Sequence, residues 1–248
     1  GTQNVAIGTY AMDAANTAAN CVAIGHSALG SNTNGANNVA IGSNVLDSNL
    51  GGSDNVGVGY MALDDNTTGY DNIAIGRDAL GDNTTGYMNH AIGRNCMRLN
   101  TTGNYNTAMG RSALYSNTTA LDNTAYGYNA LNANTTGPEN TAVGRDALKY
   151  NTTATKNTGI GREALRDNTT GANNTAVGSE ALANNETGYA NISIGYRSSD
   201  ANTTGAWNTV MGHEALGTNV SGNNNTAVGY HALLTTTASN NTAFGTYA

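Results

Sequence analysis

The sequence is poor in several residue types on which ordinary folds depend. Its 248 residues include one proline, one phenylalanine, one tryptophan and two cysteines, and 11% are charged, against about 25% in a typical globular domain. Large apolar side chains are too few for a conventional core. No run of about 20 apolar residues occurs, so the sequence predicts no membrane insertion. The net charge of −7 argues against binding to a nucleic-acid backbone.

Four small or polar residue types make up most of the chain. There are 40 Asn, 37 Ala, 35 Thr and 32 Gly residues, and they follow a strict order. A glycine that we call the repeat glycine recurs every 17 residues, with one final step of 16. A period without insertions indicates that each repeat is one turn of a stack, which we call a rung. The repeat glycines are Gly8, Gly25, Gly42, Gly59, Gly76, Gly93, Gly110, Gly127, Gly144, Gly161, Gly178, Gly195, Gly212, Gly229 and Gly245.

Each repeat divides into a strand and a turn. The segment N-T-A-V-G favours a short strand because β-branched residues alternate with small ones. The segment N-T-T-G favours a turn, since Asn bonds to local backbone and Gly accepts a positive φ. The segment x-x-A-L-x-x between them is compatible with a second short strand or with one helical turn. We predict an all-β fold, a parallel β-solenoid (β-roll) of about 14 rungs of 17 residues.

We expect this solenoid to be one repetitive domain over residues 1–248. The sequence begins inside a repeat and shows no signal peptide. We therefore expect it to be a mature or excised segment of a longer fibre.

Stacking turns each recurring position into a column. The apolar residue before the repeat glycine and the Leu four residues after it, such as Val143 and Leu148, predict two apolar columns inside the solenoid. Asn residues four before and seven after the glycine predict amides that hydrogen-bond along the axis. Around Gly195, Ser198 and Ser199 replace Ala-Leu, which predicts a packing defect or a widened loop. There we expect Ser199→Leu to increase stability.

The repeat resembles those of two kinds of surface fibre. The sequences N-V-A-I-G-T-Y-A at 4–11 and N-I-A-I-G-R-D-A at 72–79 resemble the head repeat of YadA-like trimeric autotransporter adhesins. The longer form, N-T-A-V-G at 140–144 followed by N-T-T at 151–153, is similar to repeats of phage tail fibres. The resemblance covers essentially the whole chain, although YadA-like heads usually have shorter turns. It implies a homotrimer of left-handed parallel β-rolls, adhesive or stalk-like, at a cell surface or on a virion.

Positions that vary between repeats are expected on the outer faces. An arginine column follows the repeat glycine and aromatic residues follow the turn glycine, and both could contact a host surface receptor or a glycan. A simpler interpretation is that the arginines lie on a solvated face beside acidic residues that offset their charge. In the same interpretation, the aromatic rings pack on their own turns. The possible outer-face contacts are Arg77, Arg94, Arg111, Arg145, Arg162, Tyr70, Tyr87, Tyr189 and Trp207.

The sequence offers no constellation for catalysis. The four histidines fall in three positions of the repeat, and we expect them to lie too far apart to share a metal ion. The two cysteines are separated by roughly 20 Å at about 4.8 Å per rung, too far for a disulfide. We predict no catalytic, cofactor-binding or metal-binding residues and no enzyme activity. The residues concerned are His26, His90, His213, His231, Cys21 and Cys96.

The expected function is therefore structural or adhesive, as an extracellular fibre segment that displays or contacts a receptor. Two alternatives stay open. One is a monomeric solenoid that binds ice or a polysaccharide through its repeated faces. The other is a self-stacking extracellular filament, because the ends of a solenoid are open strand edges unless they are capped.

Overall fold

The computed structural model describes residues 1–14 and 17–248 and contains fifteen strands of three residues. The described residues form no helix, and so none that could cross a bilayer. The chain divides into two compact units, Gly1–Asn123 and Thr124–Ala248. The strands of the first unit are β1 (Val5–Ile7), β2 (Val22–Ile24), β3 (Val39–Ile41), β4 (Val56–Val58), β5 (Ile73–Ile75), β6 (His90–Ile92) and β7 (Thr107–Met109). Those of the second unit are β8 (Thr124–Tyr126), β9 (Thr141–Val143), β10 (Thr158–Ile160), β11 (Thr175–Val177), β12 (Ile192–Ile194), β13 (Thr209–Met211), β14 (Thr226–Val228) and β15 (Thr242–Phe244).

Strand pairing follows the repeat within each unit. Neighbouring strands are parallel, and Val5 of β1 pairs with Val22 of β2. The last pair, Thr226 of β14 with Thr242 of β15, is parallel as well. The chain is an all-β, parallel β-solenoid of about 14 turns, which confirms the predicted fold class. That residues 1–248 form one domain stays a prediction.

Hydrogen bonds between rungs extend beyond the three-residue strands. The N–H of Gly161 donates to the carbonyl of Val143 at 2.7 Å. In the turn, Oγ1 of Thr152 donates to the carbonyl of Thr169 at 3.1 Å. Backbone groups in the turns and in the strands are both hydrogen-bonded to neighbouring rungs. The solenoid therefore provides partners for its buried N–H and C=O groups although its core is small.

The apolar part of the interior is filled by alanine and, in most rungs, one large side chain. Ala142 and Ala147, two before and three after the repeat glycine, are fully buried, as is Leu148. Small alanines allow the walls to approach closely, so that one leucine fills the remaining space. The predicted Leu column is confirmed. It contains Leu29, Leu46, Leu63, Leu80, Met97 and Leu114 in the first unit and Leu131, Leu148, Leu165, Leu182 and Leu216 in the second.

The predicted second apolar column inside the core is wrong. The residue before the repeat glycine points outward: Ile75 is 39% exposed and Tyr126 is 54% exposed, while Val143 is half-buried. Successive side chains of a strand point to opposite faces. Since the middle residue is buried, both of its neighbours must turn away from the core.

The segment x-x-A-L-x-x is neither a strand nor a helical turn. It forms consecutive tight turns, in which the N–H of Ala147 donates to Gly144 and that of Asn151 donates to Leu148. Asp146 and Leu148 have φ of 57° and 49°. This region is sterically unfavourable for leucine. The burial of the leucine side chain and the bonds between rungs hold the backbone there.

The repeat glycine marks a close approach between rungs. Gly144 has a φ of 135°, and a Cβ on it would lie 2.4 Å from the carbonyl oxygen of Gly161. A side chain there would therefore clash with the next rung and strain its own backbone.

Two columns of buried asparagine run along each unit. In one column, the N–H of Asn157 donates to Oδ1 of Asn140 at 3.0 Å, and its Nδ2 donates to the carbonyl of Gly171 at 2.9 Å. In the other column, Nδ2 of Asn151 donates to Oδ1 of Asn134 at 2.8 Å. The predicted hydrogen bonding of amides along the axis is confirmed.

The rung around Gly195 keeps the regular turn and has a polar interior. Oγ of Ser193 lies 2.6 Å from Oγ of Ser198, and Ser199 is buried with an unpaired hydroxyl. These residues form no widened loop, so that part of the prediction is wrong.

A valine in the next rung compensates for the missing leucine. In a regular rung, the leucine lies beside the strand residue eleven positions later, and a Cβ on Gly159 would lie 3.3 Å from Cγ of Leu148. The corresponding neighbour of Ser199 is Val210, which is larger than the usual alanine and fully buried. The small serine and the large valine thus share the space that leucine and alanine fill elsewhere.

Candidate functional site

The outward strand residues form a surface along each unit, in which the third position of every strand is apolar and the first position is Val, Ile, Thr or His. We call it the outer sheet face, and it consists of the first and third residues of every strand. Ile75, Ile160 and Met211 in this face are 39%, 39% and 48% exposed. Parallel sheets are normally covered on both faces, and an exposed apolar patch typically marks an interaction site. Sequence reasoning missed this face because it assigned the third strand residue to the core.

The candidate arginines lie on the turn after the repeat glycine. In the second unit, Nη2 of Arg145 lies 2.9 Å from Oε1 of Glu163 in the next rung. Arg162 pairs with Glu163 at 2.7 Å and also with Glu180. These pairs offset the arginine charge, as on a solvated face, and each contributes about 0–1 kcal/mol. The exposed arginines are Arg77, Arg94 and Arg111 in the first unit and Arg145 and Arg162 in the second.

The candidate aromatic residues form two separate groups. In the first unit, Tyr70 and Tyr87 stack with centroids 4.8 Å apart, and Tyr105 meets Tyr87 edge to face. In the second, Tyr189 and Trp207 meet edge to face at 4.7 Å. The facing surfaces of Tyr70 and Tyr87 contact each other, so those surfaces cannot stack on a sugar. The geometry supports aromatics that pack on neighbouring turns, with their outer sides still accessible.

The two cysteines are buried free thiols. Cys96 occupies the position of the inner alanine three residues after the repeat glycine, and its Sγ lies 3.3 Å from the carbonyl oxygen of Ala108. Burial raises the pKa of the Cys96 thiol to about 12. The thiol is therefore protonated near neutral pH and unsuited to nucleophilic chemistry.

The prediction that the histidines cannot converge is wrong for two of them. The side chains of His213, Glu214 and His231 each offer a ligand atom, and these atoms lie within 4.8 Å of one another. His213 follows Gly212 directly, and His231 lies one rung and one residue further along. Different positions in the repeat meet here because they belong to adjacent rungs.

An acidic pocket lies on the turns of the first unit. Its lining includes Asp64, Asp65, Asp78 and Asp82, with Arg98 at one side. Burial, with smaller contributions from nearby carboxylates, raises the pKa of Asp64 to about 6. The pKa of Asp82 is also raised by burial, against the opposing effect of Arg98. The pocket therefore concentrates negative charge that the fold holds at some cost to stability.

Comparison with known proteins gives no match, whether to family models, to curated proteins or to solved structures. The functional argument therefore depends on the solenoid, its outer sheet face and the residues on its turns.

Proposed function

We propose that the chain is a structural and adhesive segment of an extracellular fibre, such as an adhesin head or a tail-fibre shaft, and that it assembles as a homotrimer. The observation that carries this proposal is the exposed apolar column of third strand residues in the outer sheet face of each unit. A partner that covers this face would remove apolar surface from water along several rungs. We take the number of chains, three, from the resemblance to trimeric surface fibres.

The expected partner is another copy of the same chain. The outer sheet face repeats with the spacing of adjacent parallel strands, about 4.8 Å. A partner can match every rung only if its own side chains repeat with that spacing. A second copy meets this requirement automatically, whereas an irregular protein surface does not.

The interior supports a mechanical role. Bonds of Asn157 to Asn140 and Gly171 join successive rungs, and backbone bonds in the turns add to them. To separate two rungs, many bonds must break together. This property suits a shaft that holds a receptor-binding region away from a surface.

Receptor contacts, in this proposal, are distributed over the turns. The exposed arginines and the outer sides of Tyr189 and Trp207 are the candidate contacts for a host receptor or glycan. Each rung contributes a weak contact, and several rungs and three chains together provide useful avidity.

The test of assembly is the native mass in solution, by light scattering or native mass spectrometry. We expect three chains. The double variant Ile160→Lys/Met211→Lys places charge in the outer sheet face and should dissociate the trimer without changing the circular dichroism spectrum. The control Tyr128→Lys/Tyr150→Lys, at similarly exposed positions on the turns, should remain trimeric. A monomeric unaltered chain, or a trimeric sheet-face variant, contradicts the proposal.

A second candidate function uses the same face differently. The first strand position in the second unit is mostly threonine, as in Thr158, Thr175 and Thr226, beside a column of apolar residues. A regular array of hydroxyl and methyl groups could bind an ordered surface such as ice directly. If the chain binds ice, we expect a monomer that shows thermal hysteresis, and Thr175→Tyr should abolish this hysteresis. The native mass therefore distinguishes this function from that of a trimeric fibre.

A further inference from the structure

We propose that His213, Glu214 and His231 form a binding site for a divalent transition metal of the zinc class. Nε2 of His231 already lies 2.9 Å from Oε2 of Glu214. All three ligand atoms lie within 4.8 Å of one another. Zinc prefers imidazole nitrogen and carboxylate oxygen at about 2.0–2.2 Å, with a fourth position for water. Metal binding would require the side chains to draw these three atoms closer together.

The solenoid fixes the spacing of the three ligands. Their backbones are joined where the N–H of His231 donates to the carbonyl of His213 at 3.0 Å. Glu214 and His231 occupy the same position of adjacent rungs, with φ of 49° and 55°. Their side chains therefore leave the turn in the same direction, one rung apart. Much of the ordering that metal binding requires is thus already present in the fold.

Neighbouring aromatic rings restrict the imidazoles. The ring of His213 lies between Tyr196 and Tyr230, with centroid distances of 5.1 and 5.2 Å. Tyr230 also stacks on His231 at 3.9 Å with an interplanar angle of 19°. These contacts limit rotation of both ligands while the cluster stays accessible, because His213 is exposed.

The nearest cationic side chain, Arg197, has a closer carboxylate partner than Glu214. Arg197 bonds to Asp200, with Nη2 and Nε at 2.8 and 2.9 Å from Oδ2. Its distance to Glu214 is longer, 3.7 Å. Glu214 can therefore serve a metal ion while Arg197 keeps its stronger partner. Bound metal would join two adjacent rungs and stabilise the second unit.

His26 provides a matched control within the chain. It follows its repeat glycine directly, as His213 does, and it meets Tyr10 edge to face at 5.7 Å. The positions that correspond to Glu214 and His231 are occupied there by Ser27 and Asn44. His26 thus has the same backbone setting without the other two ligands.

The experiment is calorimetric titration of the full chain with Zn²⁺ near pH 7.5. We expect one site per chain with a Kd below about 100 µM. Zn²⁺ should also raise the Tm, and Co²⁺ should give a visible absorption band. His213→Gln and His231→Asn should each weaken binding by about tenfold or more, whereas His26→Gln should not change it. Circular dichroism without metal checks that each variant is folded.

A gain-of-function variant makes the test independent of any loss of folding. Ser27→Glu/Asn44→His recreates the cluster around His26 and should add a second Zn²⁺ site per chain. The proposal is overturned if the unaltered chain shows no saturable binding up to about 1 mM Zn²⁺. It is also overturned if His213→Gln and His231→Asn bind as the unaltered chain does. Either result leaves the proposed fibre function untouched, since that rests on the outer sheet face.

Discussion

The side-chain amide of Asn151 donates a 2.8 Å hydrogen bond to Oδ1 of Asn134, its equivalent in the preceding rung. The same amide donates to the carbonyl of Ala154 at 3.0 Å. Asn168, in the following rung, donates to Oδ1 of Asn151 at 2.9 Å. Each buried asparagine therefore both donates and accepts, and the column needs an amide in every rung.

We expect Asn151→Asp to destabilise the chain by about 3 kcal/mol or more, because a buried carboxylate loses both donated bonds and faces two oxygens. The measurement is urea unfolding followed by circular dichroism. Asn173→Asp is the control, since Asn173 is exposed and aspartate occupies the equivalent position at Asp54 and Asp71. Similar losses for the two variants would contradict the role of the column.

Gly76→Ala should be strongly destabilising, by about 3 kcal/mol or more. Gly76 has a φ of 130°, and a Cβ would lie 2.7 Å from backbone atoms of Gly93. The comparison is Gly69→Ala in the turn. A Cβ there would lie 2.3 Å from the carbonyl oxygen of Gly86, but Gly69 does not have a positive φ, and other rungs accommodate Ala120 and Ala154 at this position. We expect a clearly smaller loss for Gly69→Ala, measured as the shift in Tm, and equal losses would argue against the repeat glycine as the critical contact.

The Ser199–Val210 pair reverses the sequence-based expectation for Ser199→Leu. A leucine at 199 would press on Val210, so the single substitution should destabilise by about 1–3 kcal/mol. Val210→Ala should also destabilise, since it opens a cavity beside a serine. The double variant restores the usual Leu–Ala combination and should be more stable than either single variant. A double-mutant cycle measures this coupling, and strict additivity would contradict it.

The chain itself contains a comparable compensation in the first unit. Val45 replaces the usual alanine three residues after the repeat glycine, and Gly57 occupies the middle of β4. A Cβ on Gly57 would lie 2.5 Å from Cγ1 of Val45. A larger residue on one wall is thus accompanied by a smaller one on the other.

Stability should rise as the pH falls from 7 towards 5. Burial raises the pKa of Asp64 from 3.8 to about 6, so the folded chain binds this proton more tightly than the unfolded chain. The resulting stabilisation is complete below about pH 3.8 and is lost as the pH rises through about 6. The pKa values of Asp47, Asp82 and Asp200 are raised as well, mainly by burial.

Asp64→Asn should therefore stabilise the chain at pH 7, on the order of 1 kcal/mol after allowance for solvent screening. It should also reduce the dependence of Tm on pH. Asp122→Asn, an exposed carboxylate outside the pocket, should leave that dependence nearly unchanged. An unaltered Tm profile for Asp64→Asn would show that Asp64 titrates normally.

The columns could be predicted because a constant period superimposes equivalent residues. The repeat glycine, the Leu column that includes Leu148 and the Asn column that includes Asn151 all follow from that one fact. The conformation of Leu148 could not be predicted, because a positive φ is intrinsically unfavourable for leucine. Only packing and bonds between rungs impose it.

The candidate site was predicted less well than the fold. The arginine column, Tyr70, Tyr189 and Trp207 are exposed and Tyr87 is half-buried. That these residues contact a receptor stays a prediction, and their pairing with Glu163 and with each other depends on neighbouring rungs. The sequence pattern predicts that His213 and His231 lie apart, because they occupy different positions of the repeat. Their separation of one rung plus one residue is the sequence feature that indicates their proximity, because residues one rung apart lie on adjacent turns.

The sequence by itself determined the period, the parallel stacking and the buried Leu and Asn columns, because identical residues recur at a fixed distance along the chain. The tertiary structure decided which side of each strand faces inward. The side chains of a three-residue strand can alternate with either the middle residue or its two neighbours facing inward. The narrow space beside Leu131 admits only the small Ala142 of β9 and turns Val143 towards the outer sheet face. It also decided which turn residues meet, since contacts such as that between Glu214 and His231 exist only between stacked rungs.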